Sequence, residues 1–379
     1  MNFSLLKKLS FFIVMLSTLS NAFGQDLLLS KNTHVSVLTC GTGNESYSMF
    51  GHTAIRINDS DNALDIVYNY GAFDFTTPNF VMKFTKGDLQ YFAGAHSYYD
   101  FINDYTFEKR AVYEQELNIP LPLKQKLFDN LNASLATGDS HYTYKFIDKN
   151  CTSMVVDILN TTLGTKAIVK NTDTDITYRT ILYPYFDHHF YEKLGTSIIF
   201  GTKVDQKGTQ IFLPFELQKS LKNVRFQNHL LAPENKTILG FEKEIPKSLW
   251  NNCYTYLALL AFIILMNKKT INLFYLTIMG LLGLFFIFIG FYSLHQELAY
   301  NYNILLFNPT LLVLLYFYLA KNKSWVYNLA CFNILSLLVY LVVLINKAHL
   351  LIVLPLIVTS GILLVKLAIQ NHKRIPIII

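Results

Sequence analysis

Cysteine is scarce in this sequence: the 379 residues contain only four, and no two of them have CxxC spacing. The ten histidines show no HxxxH spacing, and the adjacent His188 and His189 point in different directions on any regular element. The common sequence signatures of zinc sites are therefore missing. We expect neither a metal ion nor another cofactor.

Charge is also sparse. Charged residues make up 15% of the chain, and the net charge at pH 7 is only +6. The basic residues form no stripe with interleaved aromatic residues, so the sequence predicts no nucleic-acid partner. By contrast, 52% of the residues are hydrophobic and 15% are aromatic, with a mean hydropathy of +0.29. This composition is too apolar for an ordinary soluble protein and predicts a soluble part and a membrane part.

Residues 1–24 have the pattern of a secretory signal peptide. Lys7 and Lys8 precede an apolar run from Leu9 to Leu19, and the small residues Ala22 and Gly24 follow it. We expect cleavage near Gly24, with a retained membrane anchor as the alternative. In either case, the residues that follow are predicted to lie outside the cytoplasm.

Residues 25–247 are predicted to form one α+β domain that is large enough to bury its own core. Period-two alternation indicates strands, whereas apolar residues at helical spacing indicate helices. The expected strands are His34–Cys40, His52–Ile57, Leu64–Tyr70 and Val112–Ile119. The expected helices are Pro78–Phe84, Tyr98–Tyr105, Pro122–Ala136 and one that starts at Cys151.

Residues 248–379 are predicted to form an all-α bundle that spans a membrane five times. Each of five apolar runs is near the length that crosses a bilayer core of about 30 Å. If the first domain is outside, the first, third and fifth runs end in the cytoplasm at basic residues, which agrees with the positive-inside rule. The C-terminus is then cytoplasmic. The runs are Leu249–Met266, Ile271–Leu294, Ile304–Ala320, Trp325–Ile345 and Leu350–Ile369.

Cys151 is the candidate nucleophile. Polar residues precede it, and apolar residues such as Val155 and Ile158 follow at helical spacing, which places Cys151 in the first turn of a helix. Free backbone N–H groups and the helix dipole at that position favour the thiolate, the reactive form of cysteine. Asn150 is either the helix cap or a donor to an oxyanion. A small core residue is the structural alternative for Cys151.

His52 is the candidate base. It follows Gly51 at the predicted start of a strand. A cysteine at a helix start and a histidine on a strand are the two parts of a thiol protease or acyltransferase site, in which the imidazole accepts and returns the thiol proton. Tyr68, Asn69 and Tyr70 on the next predicted strand are candidates for a third residue that orients His52, with packing as the alternative for each.

Four further residues are candidates for contact with a substrate. The predicted external loop after the second apolar run places His295, Asn303 and Asn308 at the membrane boundary on the side of Cys151. These residues either face a lipid headgroup or form a solvated connector. Arg56 is a candidate for binding a phosphate, and a surface salt bridge is its alternative.

Cys40 supports a competing prediction. Cys40 and Cys151 are the two cysteines of the predicted external domain, and an oxidising compartment favours a disulfide between them. Such a bond would leave no nucleophile. The helix-start position of Cys151 and the presence of His52 favour the free thiol, with Cys40 packed beneath His52.

Four segments resemble the Lnb-type bacterial lipoprotein N-acyltransferases, and the GHT and NC motifs within them are the most specific parts. The segments are TCGTGNESYSMFGHTAIRI at Thr39–Ile57, YNYGAFDF at Tyr68–Phe75, Tyr144 through NCTSMVVDIL at Asn150–Leu159, and FGTKVDQKGTQIFLP at Phe200–Pro214. The resemblance implies a circularly permuted papain-like domain in the periplasm, carried by a transmembrane bundle in the bacterial inner membrane. The order of His52 before Cys151 is similar to that of the permuted papain-like group.

The same resemblance implies an acyl transfer. An acyl chain would leave a membrane phospholipid, form a thioester on Cys151, and end on the α-amino group of the N-terminal cysteine of a diacylated lipoprotein. Two other classes of function remain as alternatives. A membrane-anchored cysteine peptidase or amidase would use Cys151 and His52 on cell-wall peptides, although five spans would add little to it. A non-catalytic membrane adaptor would need neither residue.

Overall fold

In the computed structural model of the protein, the described residues are 27–74, 76–136 and 141–372. The predicted signal peptide at residues 1–24 and the terminal basic residues Lys373 and Arg374 lie outside them. Strands come first in the chain and long apolar helices come last. The strands are β1 (Thr33–Cys40), β2 (His52–Asp59), β3 (Leu64–Ala72), β4 (Gln90–Ser97), β5 (Val112–Glu116), β6 (His141–Thr143), β7 (Arg225–Phe226), β8 (His229–Leu230) and β9 (Lys236–Leu239).

The helices fall into two sets. Those of the α+β domain are α1 (Phe80–Lys86), α2 (Tyr98–Phe107), α3 (Leu121–Ala136), α4 (Cys151–Leu163), α5 (Tyr178–Leu182), α6 (Phe190–Ile199) and α7 (Pro214–Leu221). Those of the C-terminal bundle are α8 (Cys253–Met266), α9 (Lys269–Tyr292), α10 (Thr310–Leu319), α11 (Lys323–Leu344) and α12 (Leu350–Asn371). The prediction of an α+β domain followed by apolar helices is confirmed.

A seven-stranded sheet organises the α+β domain. Its strand order is β6-β4-β3-β2-β1-β5-β9, and every neighbouring pair is antiparallel. The four strands predicted from alternation are all present, with small differences at their ends. Strand β4 escaped prediction because its small residues, Ala93, Gly94 and Ala95, interrupt the alternation of large apolar and polar side chains.

Helices cover both faces of this sheet. On one face, α3, α4 and α7 bury a large core that includes Ile55, Tyr68, Leu131, Val155 and Leu217. On the other face, α2 covers a smaller core formed by Leu38, Cys40, Ala54, Val67, Phe101, Tyr105 and Val112. The start of α4 therefore lies against the sheet, close to the end of β2 that carries His52.

The membrane part differs in detail from the five-span prediction. By length and composition, α9, α11 and α12 can each cross a bilayer. Helix α8 has only 14 residues, and α10 has ten and meets the preceding short helical segment at a bend of 41°. Among the described residues, three helices therefore satisfy the spanning criteria, or four if the bent pair counts as one span. Five spans stay a prediction.

A buried ion pair connects the α+β domain to the bundle. The Arg179 Nε of α5 donates to Asp205 Oδ1 at 2.7 Å, and both side chains are almost fully buried. The other carboxylate oxygen of Asp205 accepts from the Tyr302 hydroxyl at 2.5 Å and lies 3.3 Å from Lys347 Nζ. Because Tyr302 precedes α10 and Lys347 lies between α11 and α12, this end of the bundle faces the sheet domain.

Candidate active site

A helix cap positions Cys151. The Asn150 Oδ1 accepts hydrogen bonds from the backbone N–H groups of Thr152 and Ser153, at 2.9 and 3.1 Å. The Asn150 Nδ2 donates to two backbone carbonyls, at Phe146 and Phe212. With its amide fully engaged, Asn150 is the cap and not a free donor to an oxyanion. The cap binds the second and third N–H groups of the helix and leaves the first, that of Cys151, without an intrahelical acceptor.

A glycine turn and a buried hydroxyl contact position His52. Gly51 has a φ of 79°, and a side chain there would begin 2.5 Å from the carbonyl oxygen of Cys40, so only glycine fits. One residue later in β2, the Thr53 hydroxyl lies 2.9 Å from the Thr152 hydroxyl of α4. This contact holds the strand against the helix. His52 and Cys151 are thereby brought into hydrogen-bonding contact.

The two side chains change each other's proton affinity. Burial by itself would raise the pKa of the Cys151 thiol, but the charge of His52, its hydrogen bond and the N–H of Thr53 outweigh burial and lower that pKa. Burial would likewise lower the pKa of His52, whereas the charge and hydrogen bond of Cys151 raise it. The arrangement therefore favours a thiolate beside an imidazolium, as in an activated thiol nucleophile.

Asn69 is the one of the three candidate third residues that contacts His52. The His52 Nε2 lies 3.1 Å from Asn69 Oδ1, which leaves Nδ1 for the thiol. Tyr68 and Tyr70 point to the opposite face of the sheet, because side chains alternate along β3. There the Tyr68 hydroxyl donates to Asn132, and the Tyr70 hydroxyl contacts Ser134. These two tyrosines pack against α3.

The thiol of Cys40 is chemically different from that of Cys151. Cys40 is opposite His52 in the register of β1 and β2 and is completely buried. Burial raises the pKa of Cys40 to about 12, so its thiol keeps its proton at neutral pH. Both cysteines are free in the structure. Cys40 therefore packs next to the site, and the competing disulfide is not formed.

An open cleft of about 300 Å³ begins at His52. Its lining also includes Asn69, Gly71 and Phe73. Arg110 also lines the cleft and pairs with Glu108 at 2.6 Å. The lining next to the imidazole therefore contains both aromatic and charged side chains.

Four residues predicted to contact substrate have structural partners instead. Arg56 pairs with two carboxylates, Asp65 at 2.7 Å and Glu114 at 3.1 Å, so its charge is already balanced. Of the other three, His295 and Asn303 are buried and Asn308 is half-buried. The His295 Nε2 lies 3.1 Å from the Phe84 carbonyl oxygen, the Asn303 Nδ2 donates to the Ile198 carbonyl, and Asn308 Oδ1 accepts from the N–H of Thr310 at the start of α10. Each of these residues thus has a protein partner, as polar groups removed from water generally do, and their contact with a substrate stays a prediction.

Two residues at the site were missed by the sequence analysis. A Cβ atom on Gly71 would lie 3.4 Å from Cys151 Cβ and 3.7 Å from the Tyr142 hydroxyl oxygen. Gly71 lies where the register between β3 and β4 shifts, with a φ of 107°. The only sequence signal was a glycine inside a strand pattern, which suggests a bulge or a close approach. Tyr142 belongs to a three-residue strand that has no periodicity to detect.

Two family models match the chain. Residues 21–183 match a family model described as the Lnb N-terminal periplasmic domain. Residues 249–373 match a second one, described as the Lnb transmembrane domain. No curated protein and no solved structure matches the chain. The papain-like relationship of the fold therefore stays a prediction.

Proposed function

Since the chain combines the two domains of the Lnb family, a periplasmic one and a transmembrane one, we propose that it is a lipoprotein N-acyltransferase of the bacterial inner membrane. It moves an acyl chain from a phospholipid, through a thioester on Cys151, to the α-amino group of a diacylated lipoprotein. The observation that carries the proposal is the hydrogen-bonded pair of Cys151 and His52, whose pKa shifts favour thiolate and imidazolium.

In the first half-reaction, the Cys151 thiolate attacks the carbonyl carbon of a phospholipid ester. The carbon–sulfur bond forms, the carbon–oxygen ester bond breaks, and the lysophospholipid oxygen takes the proton of the His52 imidazolium. Asn69 holds the imidazole by accepting at Nε2, which keeps Nδ1 directed at the thiol. The free N–H of Cys151 donates to the oxyanion of the tetrahedral intermediate.

In the second half-reaction, the neutral α-amino group of the diacylglyceryl-cysteine attacks the thioester. His52 accepts the proton from the amine, the amide bond forms, and the carbon–sulfur bond breaks to restore the thiolate. Cys151 is only partly exposed, which limits the access of water that would hydrolyse the thioester. A site held at the membrane surface also raises the effective concentration of both lipid-anchored substrates.

The contact between the domains supports the proposed orientation. The buried pair of Arg179 and Asp205 meets the bundle at Tyr302 and Lys347, so the end of the bundle that holds these residues is proposed to face the periplasm. The opposite end carries Lys268 and Lys269 at the start of α9, which suits a cytoplasmic side. This topology places the C-terminus in the cytoplasm.

Intact mass spectrometry tests the proposal. The purified protein, incubated with phospholipid without reductant, should gain the mass of one acyl chain, and neutral hydroxylamine should remove it. The Cys151→Ser variant should form no hydroxylamine-sensitive adduct, whereas Cys253→Ser, which alters an exposed free thiol, should behave as the parent. Addition of a diacylated lipopeptide should discharge the acyl group onto the peptide's amino terminus.

Two results would contradict this function. An adduct that persists in Cys151→Ser and remains sensitive to hydroxylamine would place the acylation elsewhere. Cleavage of a cell-wall peptide by the parent, in the absence of any acyl-enzyme, would support the peptidase alternative.

A further inference from the structure

Helix α1 presents large apolar side chains to the outside. Within its seven residues, Val81 is 73% exposed, Met82 is 62% exposed and Phe84 is 46% exposed. Single exposed apolar residues are common on protein surfaces, but a contiguous group usually marks a surface that binds something.

The surface of α1 continues that of a membrane-spanning helix. The N–H of Leu294, just after α9, donates to the Lys86 carbonyl at 2.7 Å, and the Ser293 hydroxyl donates to the Thr85 carbonyl at 2.8 Å. The end of α9 carries Phe291, which is 90% exposed. Since α9 is long and apolar enough to cross a bilayer, its exposed residues face lipid. The apolar residues of α1 extend the same surface.

The contact between α1 and α9 is close and built of several polar bonds. Gly87, at the end of α1, has a φ of 73°, and a side chain there would begin 2.9 Å from His295 Cδ2. The Lys145 Nζ donates to the carbonyls of both Gly87 and Leu294, at 2.7 and 3.2 Å. These hydrogen bonds fix the position of α1 along the axis of α9, next to the end of α9 that carries Leu294.

The charges of α1 suit the headgroup region. Lys83 lies on the same short helix as the exposed apolar residues, and Lys86, the last residue of that helix, pairs with Asp88 at 2.6 Å. An amphipathic helix with basic residues that lies in the membrane interface combines apolar burial with attraction to lipid phosphates. The apolar side chains of α1 therefore contact the acyl region of the outer leaflet.

On its inner side, α1 connects to the nucleophile through aromatic rings. The ring centroids of Phe80 and Phe73 are 5.8 Å apart, and those of Phe73 and Tyr91 are 5.1 Å apart. Phe73 also lines the cleft at His52. Cys151 packs against the same core cluster that contains Tyr91. A row of aromatic rings therefore leads from α1 into the core against which Cys151 packs.

We propose that α1 is embedded in the outer leaflet and that the acyl chain of the donor phospholipid reaches Cys151 along Phe80, Phe73 and Tyr91. The membrane contact of α1 stands on its own, whereas the passage of the acyl chain rests on the proposed acyltransferase function.

Fluorescence quenching tests the membrane contact without any catalysis. In a Trp250→Phe, Trp325→Phe background, Met82→Trp supplies one tryptophan on α1. The matched control is Lys31→Trp. Lys31 is exposed and lies just before β1. At roughly 3.4 Å per residue, that end of β1 is about 24 Å from the end that lies beside His52. In liposomes of phosphatidylcholine brominated in its acyl chains, the tryptophan at 82 should lose most of its emission and that at 31 should lose none. An equal fractional loss of emission at both positions would overturn the membrane contact.

Acylation kinetics test the passage. Met82→Glu should slow the formation of the acyl-enzyme from phospholipid in liposomes, whereas Lys31→Glu should not, and the rate of alkylation of Cys151 by iodoacetamide verifies that the site is intact in both. An unchanged acylation rate in Met82→Glu would overturn the passage. If the parent forms no acyl-enzyme at all, the proposed function fails together with the passage, while the quenching result still decides the membrane contact.

A separate observation concerns Tyr142. Its side chain is 4% exposed, and its hydroxyl has no hydrogen-bond partner within the described residues. A buried polar group without a partner is costly and is found where a ligand or intermediate supplies the partner. Burial, followed by the nearby charge of Cys151, raises the pKa of Tyr142, so the hydroxyl remains a donor at neutral pH.

The missing side chain of Gly71 marks a small space between three reactive groups. That point lies 3.4 Å from Cys151 Cβ, 3.7 Å from the Tyr142 hydroxyl oxygen and 4.0 Å from His52 Cε1. Because Gly71 has no side chain there, an acyl carbonyl attacked by the thiol can lie beside its Cα, next to the Tyr142 hydroxyl. We infer that Tyr142 donates a hydrogen bond to the oxyanion of the tetrahedral intermediate, next to the N–H of Cys151; this inference rests on the proposed acylation of Cys151.

Two reagents separate this role from a structural one. Acylation of Cys151 by a carbonyl substrate passes through an oxyanion, whereas alkylation by iodoacetamide does not. Tyr142→Phe should slow acylation roughly 100-fold, as for the loss of one oxyanion donor, and leave alkylation unchanged. Tyr70→Phe, which removes the contact between the β3 hydroxyl and Ser134 of α3, is the matched control and should change neither rate. Equal acylation rates in Tyr142→Phe and the parent, or an equal fall in both reactions, would overturn the inference, and so would a parent that forms no acyl-enzyme.

Discussion

His52 and Cys151 hydrogen-bond to each other and shift each other's pKa in opposite directions, that of the thiol downward and that of the imidazole upward. They belong to different elements, the first residue of β2 and the first residue of α4. The buried contact between Thr53 and Thr152, 99 residues apart in sequence, holds these elements together. Tertiary packing thus brings the reactive pair together, and the local helix cap at Asn150 positions Cys151.

The pH dependence of thiol alkylation should reveal this pair. The ordinary pKa of the thiol is 9.0, and His52 lowers it, so carboxamidomethylation of Cys151 should remain fast below pH 9 and fall only at lower pH. In His52→Ala, burial acts without its largest counterweight, and the inflection of the rate profile should move to higher pH than in the parent. Mass spectrometry of the modified peptide measures both profiles. Identical profiles in the two proteins would contradict the ion pair.

Replacement of Asn69 should slow acylation without removing the nucleophile. A hydrogen bond to a charged group contributes about 1.5–3 kcal/mol, so Asn69→Ala should lower the acylation rate roughly 10- to 150-fold. The imidazolium would lose its partner at Nε2, and its pKa should fall, because Asn69 is one of the groups that raise it. Stopped-flow acylation and NMR titration of His52 measure the two effects. A normal rate with an unshifted titration would show that Asn69 is a packing residue.

The buried ion pair between Arg179 and Asp205 should dominate the coupling of the two domains. Removing one member of a buried pair leaves an uncompensated charge and costs about 3–5 kcal/mol, so Asp205→Asn should lower the melting temperature of the solubilised protein. The matched control, Asp175→Asn, removes an exposed partner of Lys207 and should have little effect. Differential scanning fluorimetry compares them. Equal melting temperatures would show that the pair contributes nothing to stability.

The same ion pair has a predictable pH dependence. Burial would raise the pKa of Asp205, but the hydrogen bond and charge of Arg179 lower it below its ordinary value of 3.8. The stabilisation is therefore fully present above pH 3.8 and is lost as the pH falls through the lowered pKa. In Asp205→Asn, this part of the acid destabilisation should disappear.

Cys40 should be dispensable for chemistry. Its buried thiol has a pKa of about 12 and no bond to Cys151, so Cys40→Ala should retain the acyl-enzyme. The loss of a small buried group should lower the melting temperature modestly. Intact mass in the absence of reductant provides the check. A parent protein two hydrogens light, with reactivity restored by reduction, would mean that the two cysteines are bonded.

Local patterns predicted the parts of the site that short stretches of sequence encode. Alternation located β1, β2 and β3, and polar-then-apolar spacing located the start of α4 at Cys151. Asn150 and His52 could be named because a helix start and a glycine turn have recognisable residues. These features depend on neighbours within a few residues, which is the range over which sequence patterns are informative.

The remaining parts depend on contacts between distant segments. The choice of Asn69 over its neighbours needs the pairing of β2 and β3, since the side of the sheet on which each residue lies follows from register. The loop with Asn303 resembled a solvated connector, yet its side chains are buried because carbonyls of α6 accept their hydrogen bonds. No pattern along the chain shows which carbonyls will be near.

Helix α10 has ten residues and is therefore about 15 Å long, at 1.5 Å per residue. This length covers roughly half of a bilayer core of about 30 Å. The polar segment before it, with Asn301 and Asn303, donates hydrogen bonds to the Ile198 carbonyl of α6. Under the proposed topology, the domain that carries α6 therefore reaches into the depth of the outer leaflet. Under the proposed function, both substrates arrive by lateral diffusion in two dimensions, so turnover depends on their mole fraction in the membrane. Added inert lipid would slow the reaction, whereas dilution of the whole suspension with buffer would not.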